Sequence, residues 1–361
     1  MMTDPVQSDL AATEPLRIAI WIDEQNLLNE FTLLRQLSVA LSADGARVHI
    51  ISEHDAADSL SAYIAGHWHV QAGTWMKWLR TGGTGNEHHI AAELHRHRIN
   101  LIMLMGWSPA QAAILSRCRD ILAVRWYFDC INRDHPADEI VAVYASEAIR
   151  CAFGAPDRAL VISPGVYIGE DAGGGRSHLL DRDFILFCPD VIHKTGEFAE
   201  FLRAFATRCR SKRFLLLLLD AGGAKDEVWR MVRDMKLLDR VSYIPAVGAV
   251  TAAIQNADAV INISPQTRWW HAGIEAAVAH RAVACRGAAL MDDFTADTCR
   301  LIHRSEDWMQ CLDEMWSNPT RTQMLCERAY VRVKRQHAMS DFYDRLMQTL
   351  SHLRRTSIPM R

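Results

Sequence analysis

The chain has 361 residues, 49% apolar and 23% charged, with a formal net charge of −3. That length exceeds one hydrophobic core and predicts two domains of ordinary size. The near-neutral balance argues against wholesale nucleic-acid binding, and no apolar run approaches the roughly 18–20 residues of a membrane span.

Residues 1–15 are acidic and polar, lack a signal-peptide apolar region and read as a frayed tail. Strands are expected at Arg17–Asp23, Arg47–Ser52, Leu101–Met105, Ala123–Trp126, Ile140–Tyr144 and Ala159–Ile162. Helical spacing falls at Leu27–Leu41, closed by Gly45, and at His89–His97 and Ala110–Arg119. The Gly-rich, charged stretch Gly165–Asp183 reads as the connection, with the linker at 169–183. The pattern then restarts, with strands at Phe184–Cys188, Phe214–Asp220, Val241–Ile244, Ala259–Ile263 and Ala282–Cys285. Helices alternate with them at Glu197–Arg208, Val228–Met235 and Thr251–Asn256, followed by Trp308–Trp316 and Arg321–Lys334. Ser340 can cap a last amphipathic helix carrying Phe342, Leu346, Met347, Leu350 and Leu353. The fold class is therefore α/β: two Rossmann-like domains, 16–168 and 184–338, facing across a cleft, with 339–361 as a final helix.

The stretch from Ala259 to Cys285 carries the most chemistry. A strand meets the Ser264–Pro265 break, a polar-aromatic loop follows, and a helix is expected to begin near Gly273–Glu275. Such a helix start points free N–H groups at the loop and suits a phosphate. Glu275, expected in the first turn, can accept hydrogen bonds from ribose or sugar hydroxyls. Thr267, Arg268, Trp270 and His271 would line that loop beside Gly273. Lys194, with Thr195–Gly196, sits at another strand-to-helix turn where an ammonium can balance a diphosphate. Asp129, just past an apolar strand, can orient an acceptor hydroxyl or act as a weak base, or simply form a turn.

Trp75 and Trp78, in the aromatic-basic segment Gly66–Arg80, can stack on a sugar acceptor or touch an anionic membrane; the alternative is a half-buried helix. His88, His89, His95 and His97 lack metal-ligand spacing, and no metal is expected. Nine cysteines without C-x-x-C spacing predict reduced thiols in the cytosol, with peripheral contact at the inner membrane surface as a further option.

The order of these elements, over roughly 17–355, resembles the GT-B glycosyltransferases and among them retaining family 4. VAVYASEAIRCAF (141–153) is similar to the family's serine-glutamate helix start, and VISPGVYIGE (161–170) to its IPNGVD turn. GIEAAVAHRAVAC (273–285) is similar to its EAMA-x-G-x-PVVA signature, with Glu275 on the glutamate. The resemblance implies a nucleotide-diphosphate sugar as donor, no cofactor or metal, retention of anomeric configuration and a glycan or lipid-linked acceptor. It also implies Lys194 at the diphosphate and a last helix that crosses back to the first domain. The chain departs from the family at three places: Thr267 stands eight positions before Glu275 where a second glutamate is usual, Pro189 where an arginine is, and Phe128 where a histidine is. Those departures keep two alternatives open: a catalytically impaired GT-B protein that binds a glycan or partner subunit, and a GT-B epimerase.

Overall fold

A computed structural model describes residues 16–22, 24–52, 60, 64–69, 86–106, 109–128, 140–156, 159–168, 183–190, 192, 195–219, 224–244, 249–263, 271–286 and 294–357. Two parallel sheets form. The first contains β1 (Arg17–Ile22), β2 (Arg47–Ser52), β3 (Gly66–His69), β4 (Leu101–Met105), β5 (Leu122–Tyr127), β6 (Val141–Tyr144) and β7 (Leu160–Val161). The second contains β8 (Phe184–Cys188), β9 (Phe214–Leu219), β10 (Val241–Ile244), β11 (Ala259–Asn262), β12 (Ala282–Arg286) and β13 (Arg300–Ile302). Their strand orders are β3-β2-β1-β4-β5-β6-β7 and β10-β9-β8-β11-β12-β13. Both sheets thus grow outward in both directions from their first strand. Each has a switch point, between β1 and β4 and between β8 and β11, where a crevice opens at the carboxyl ends. This is the GT-B architecture of two Rossmann-like lobes.

The expected strands follow from apolar runs that a sheet covered on both faces must bury. β4 and β5 are buried along their whole length, and so are the last five residues of β1. Two strands were not expected. At Gly66–His69, where an acceptor loop or half-buried helix is expected, the backbone instead pairs with β2 in parallel register. Its position at the sheet edge explains the weak sequence signal, because only one neighbour constrains it. β13 is three residues long and pairs with β12.

Helices α1 (Glu24–Ala43), α2 (Asn86–Arg96), α3 (Pro109–Leu115) and α4 (Glu147–Ala152) belong to the first lobe, and α5 (Thr195–Cys209), α6 (Lys225–Asp234), α7 (Val250–Asn256), α8 (His271–Val278), α9 (Asp307–Ser317) and α10 (Pro319–Gln336) to the second. The last helix is α11 (Met339–Ser357). Local chemistry sets several ends. Ser146 caps α4 by accepting from the Ile149 amide at 3.2 Å, and Asn318 caps α10 by accepting from the Arg321 amide at 3.1 Å, with Pro319 at the first helical position.

One buried cluster runs through both lobes and includes Ile20, Leu34 and Trp126 with Ile274 and Phe342. The Phe342 ring of α11 stacks on Trp126 of β5, centroids 5.7 Å apart. Beside it, Val166 and Ala338 form an isolated parallel bridge: the Val166 amide donates to the His337 carbonyl at 2.8 Å and the Met339 amide to the Val166 carbonyl at 3.1 Å. The outgoing segment of the first lobe and the entry to α11 are therefore bound side by side. Gly165 permits that approach, since a Cβ there would lie 2.6 Å from the Phe342 Cβ.

Candidate functional site

At the second switch point the chain leaves β8 through Pro189 and Asp190. The Asp190 carboxylate accepts from the Asn262 side-chain amide at 2.8 Å and from the Ile263 backbone amide at 2.6 Å. It thereby ties the carboxyl end of β8 to that of β11. Helix α5 starts nearby at Thr195, whose hydroxyl donates to Glu227 at 2.6 Å. A Cβ added at Gly196, in the first turn, would meet nothing within 4 Å, so that position is open. The first N–H groups of any helix lack an intrahelical partner, which suits such a turn to an anion.

Helix α8 is different in kind: all eight of its residues are buried. It lies against α1 of the first lobe and against α7 and α10 of its own. The helix begins at His271, not near Gly273–Glu275, which moves Glu275 out of the first turn and beyond the stabilising field of the helix start. Glu275 is only 6% exposed. One carboxyl oxygen, Oε2, accepts from the Thr251 hydroxyl of α7 at 3.4 Å. The other, Oε1, has no hydrogen-bond partner among the described residues. Burial pushes the carboxyl up to about 7; the Arg35 guanidinium and the Thr32 hydroxyl of α1, with Thr251, pull the other way without prevailing. Glu275 therefore sits on the face where the two lobes meet, enclosed by both.

His271 stands one turn earlier on the same helix. Its Nε2 lies 3.2 Å from the Gly165 carbonyl, which assigns the proton to Nε2. Its Nδ1 faces Glu275 Oε1 at 3.6 Å, a distance too long for a hydrogen bond. Burial lowers the imidazole to about 4. Between about pH 4 and pH 7 the pair is thus neutral on both sides, not an ion pair. Through its Nε2 the imidazole fixes the start of α8 to the interlobe segment. A second histidine, His337 at the end of α10, holds the neighbouring residue of that segment, its Nδ1 lying 2.9 Å from the Pro164 carbonyl.

Of the residues the sequence singles out, His271, Gly273 and Glu275 are brought together on α8. His271 does not line an open loop; it is enclosed against Gly165. Asp129, Lys194, Thr267, Arg268, Trp270, Trp75 and Trp78 lie outside the described residues. Thr32, Arg35, Thr251 and Asp190 had no sequence signal, because each gains its meaning from a partner distant in the chain. No group of three metal-ligating side chains converges among the described residues. No described helix is long and apolar enough to cross a membrane.

No family model matches the sequence, and no curated protein matches it. Solved structures do. HepE from Anabaena, in complex with UDP-glucose, superposes with a TM-score of 0.72 at 14% identity over 94% of this chain and 100% of that one. Sucrose-phosphate synthase from Thermosynechococcus elongatus gives 0.69 at 14% identity over 94% and 99%. A glycosyltransferase from Rickettsia africae gives 0.67 at 13% identity over 94% and 99%. At such identities the similarity establishes a shared fold over nearly the whole length of each chain.

Proposed function

We propose that the protein is a nucleotide-sugar-dependent glycosyltransferase. The observation that carries this reading is Glu275: a buried carboxylate on the interlobe face of the second lobe, with one oxygen lacking a partner among the described residues. An orphaned buried acceptor is costly and suits a ligand hydroxyl such as those of a ribose. In this reading the donor's diphosphate rests at the open start of α5, beside Lys194, and the loop of Thr267, Arg268 and Trp270 covers it. The first lobe supplies the acceptor, a glycan or lipid-linked chain, with Trp75, Trp78 and Asp129 on that side. Similarity of fold to HepE, solved with UDP-glucose, supports a nucleoside diphosphate sugar as the donor class.

Catalysis would consist of positioning and of stabilising the departing nucleoside diphosphate, with lysine, arginine and helix N–H groups in place of a metal, and with retention of configuration. Thr32 and Arg35 of α1 close over Glu275 from the other lobe. Donor entry therefore requires the lobes to part, and closure would exclude water from the transfer step. His271, anchored to Gly165, is a positioning residue that transmits this motion to α8.

Incubation with UDP-, GDP-, ADP- and dTDP-sugars, followed by product analysis with and without acceptors, tests the assignment. The expected result is release of a nucleoside diphosphate from one donor. An isomerised nucleotide sugar formed without acceptor would make the protein an epimerase. A second reading, a GT-B subunit that binds without transfer, is favoured by the replacement of three family residues, at Thr267, Pro189 and Phe128. Donor binding with no turnover across the panel would select it.

A further inference from the structure

The outward face of α10 combines basic and apolar side chains. Arg321, Met324, Arg328, Val331 and Arg335 follow one another at alternating spacings of three and four and are all exposed, so they form a single stripe along the helix. Met324 and Val331 are 47% and 48% exposed, two of five large apolar side chains exposed among the described residues. The helix carries five basic residues (Arg321, Arg328, Arg332, Lys334, Arg335) against one acid, Glu327, in a protein whose net charge is −3. Nearby acids offset part of this, and Asp297 acts on Arg328 as well as on Arg332. Glu314 is shared between Arg300 and Arg321, and Asp297 faces Arg332 at 4.0 Å. Arg328 and Arg335 have no acidic partner within ion-pair distance among the described residues. A hollow of about 430 Å³ runs beside them, lined by Arg328, Val331, Arg332 and Arg335 and also by the acids Asp297 and Glu327.

We propose that this face of α10 docks on an anionic phospholipid surface. Two apolar side chains flanked by guanidinium groups match an interface in which the former enter the headgroup layer and the latter meet lipid phosphates. Nucleic acid is the weaker match, because exposed Met324 and Val331 would gain nothing from a phosphate backbone. A solvated charged face explains the arginines but not the two apolar residues among them. The docking does not depend on the sugar-transfer reading, and it uses a surface separate from Glu275.

Flotation with phosphatidylcholine vesicles, with and without phosphatidylglycerol, tests it on the full chain. The protein should float only with the anionic vesicles and should be released by high salt. Arg321→Gln/Arg328→Gln/Arg335→Gln should weaken this on the order of a hundredfold, at roughly fivefold per basic residue. Met324→Ser/Val331→Ser should keep the low-salt binding but lose it at physiological salt. All five positions are exposed, so circular dichroism melting should be unchanged and a failure to float is not a failure to fold. Absence of binding to anionic vesicles, equal binding to neutral ones, or full binding by the triple variant would overturn the proposal. Binding of duplex DNA in preference to vesicles would do the same.

Discussion

Glu275 and His271 show how burial decides protonation at a single position. The Glu275 carboxyl is raised to about 7 when folded, chiefly by burial, whereas in an unfolded chain it ionises near 4.5. The unfolded state therefore holds fewer protons between those values, and stability falls as pH rises from about 4.5 to 7. Glu275→Gln removes this loss. The variant should match the wild type near pH 4 and exceed it by on the order of 3 kcal/mol above pH 8, read as melting temperature against pH. His271 has the opposite sign. Its folded value of about 4 lies below the ordinary 6.5, so stability is lost as pH falls through that interval. His271→Asn, which keeps a donor for Gly165, should flatten the acid limb of the same curve. Gly165 itself is fixed by space: Gly165→Ala should cost about 1–3 kcal/mol in urea unfolding, because a Cβ would stand 2.6 Å from Phe342.

Among the described residues, the backbone bends into left-handed conformations at three helix ends occupied by non-glycine residues. Arg98, Lys236 and His280 have φ of 52°, 58° and 52°. Each follows a helix whose last carbonyls are capped by the turn, as when the Lys236 amide donates to Arg233 and the Leu237 amide to Val232. His280 is offset by stacking on Tyr330 at 4.3 Å, but exposed Lys236 has no comparable packing. Lys236→Gly should stabilise by about 0.5 kcal/mol, since relief of left-handed strain exceeds the added freedom of the unfolded chain; an unchanged or lower urea midpoint would contradict this. Elements of this kind also mark what can be read from sequence. Long apolar strands such as Phe214–Leu219 and periodic helices such as Pro319–Gln336 fell close to their expected bounds. The start of α8 was placed late, because a helix buried on every side has no polar face to reveal its period. β3 was missed for the converse reason: at an edge, GHWH needs neither alternation nor a run of apolar residues.

At the scale of the molecule, two sheets that share one strand order, the first extended by β7, face one another, and the chain passes between lobes at two adjacent points. Repetition of one α/β pattern made the two-lobe architecture legible, since each half needs its own parallel sheet. The site was legible only in part. Glu275 stood out by its place in a small-residue helix, but its enclosure by Thr32 and Arg35 depends on packing between segments some 240 positions apart, which no local pattern encodes. Ligand binding to the folded state alone should raise the melting temperature with concentration, so one nucleotide sugar of a UDP, GDP, ADP and dTDP panel should stabilise the protein. The central claim, that a donor nucleotide is held by Glu275 on the interlobe face, is tested most directly by titration calorimetry of that nucleotide sugar into wild type and Glu275→Ala. Saturable binding to the wild type and at least about tenfold weaker binding to the variant, folded by circular dichroism, is the expected result. Equal affinity in both proteins would contradict it.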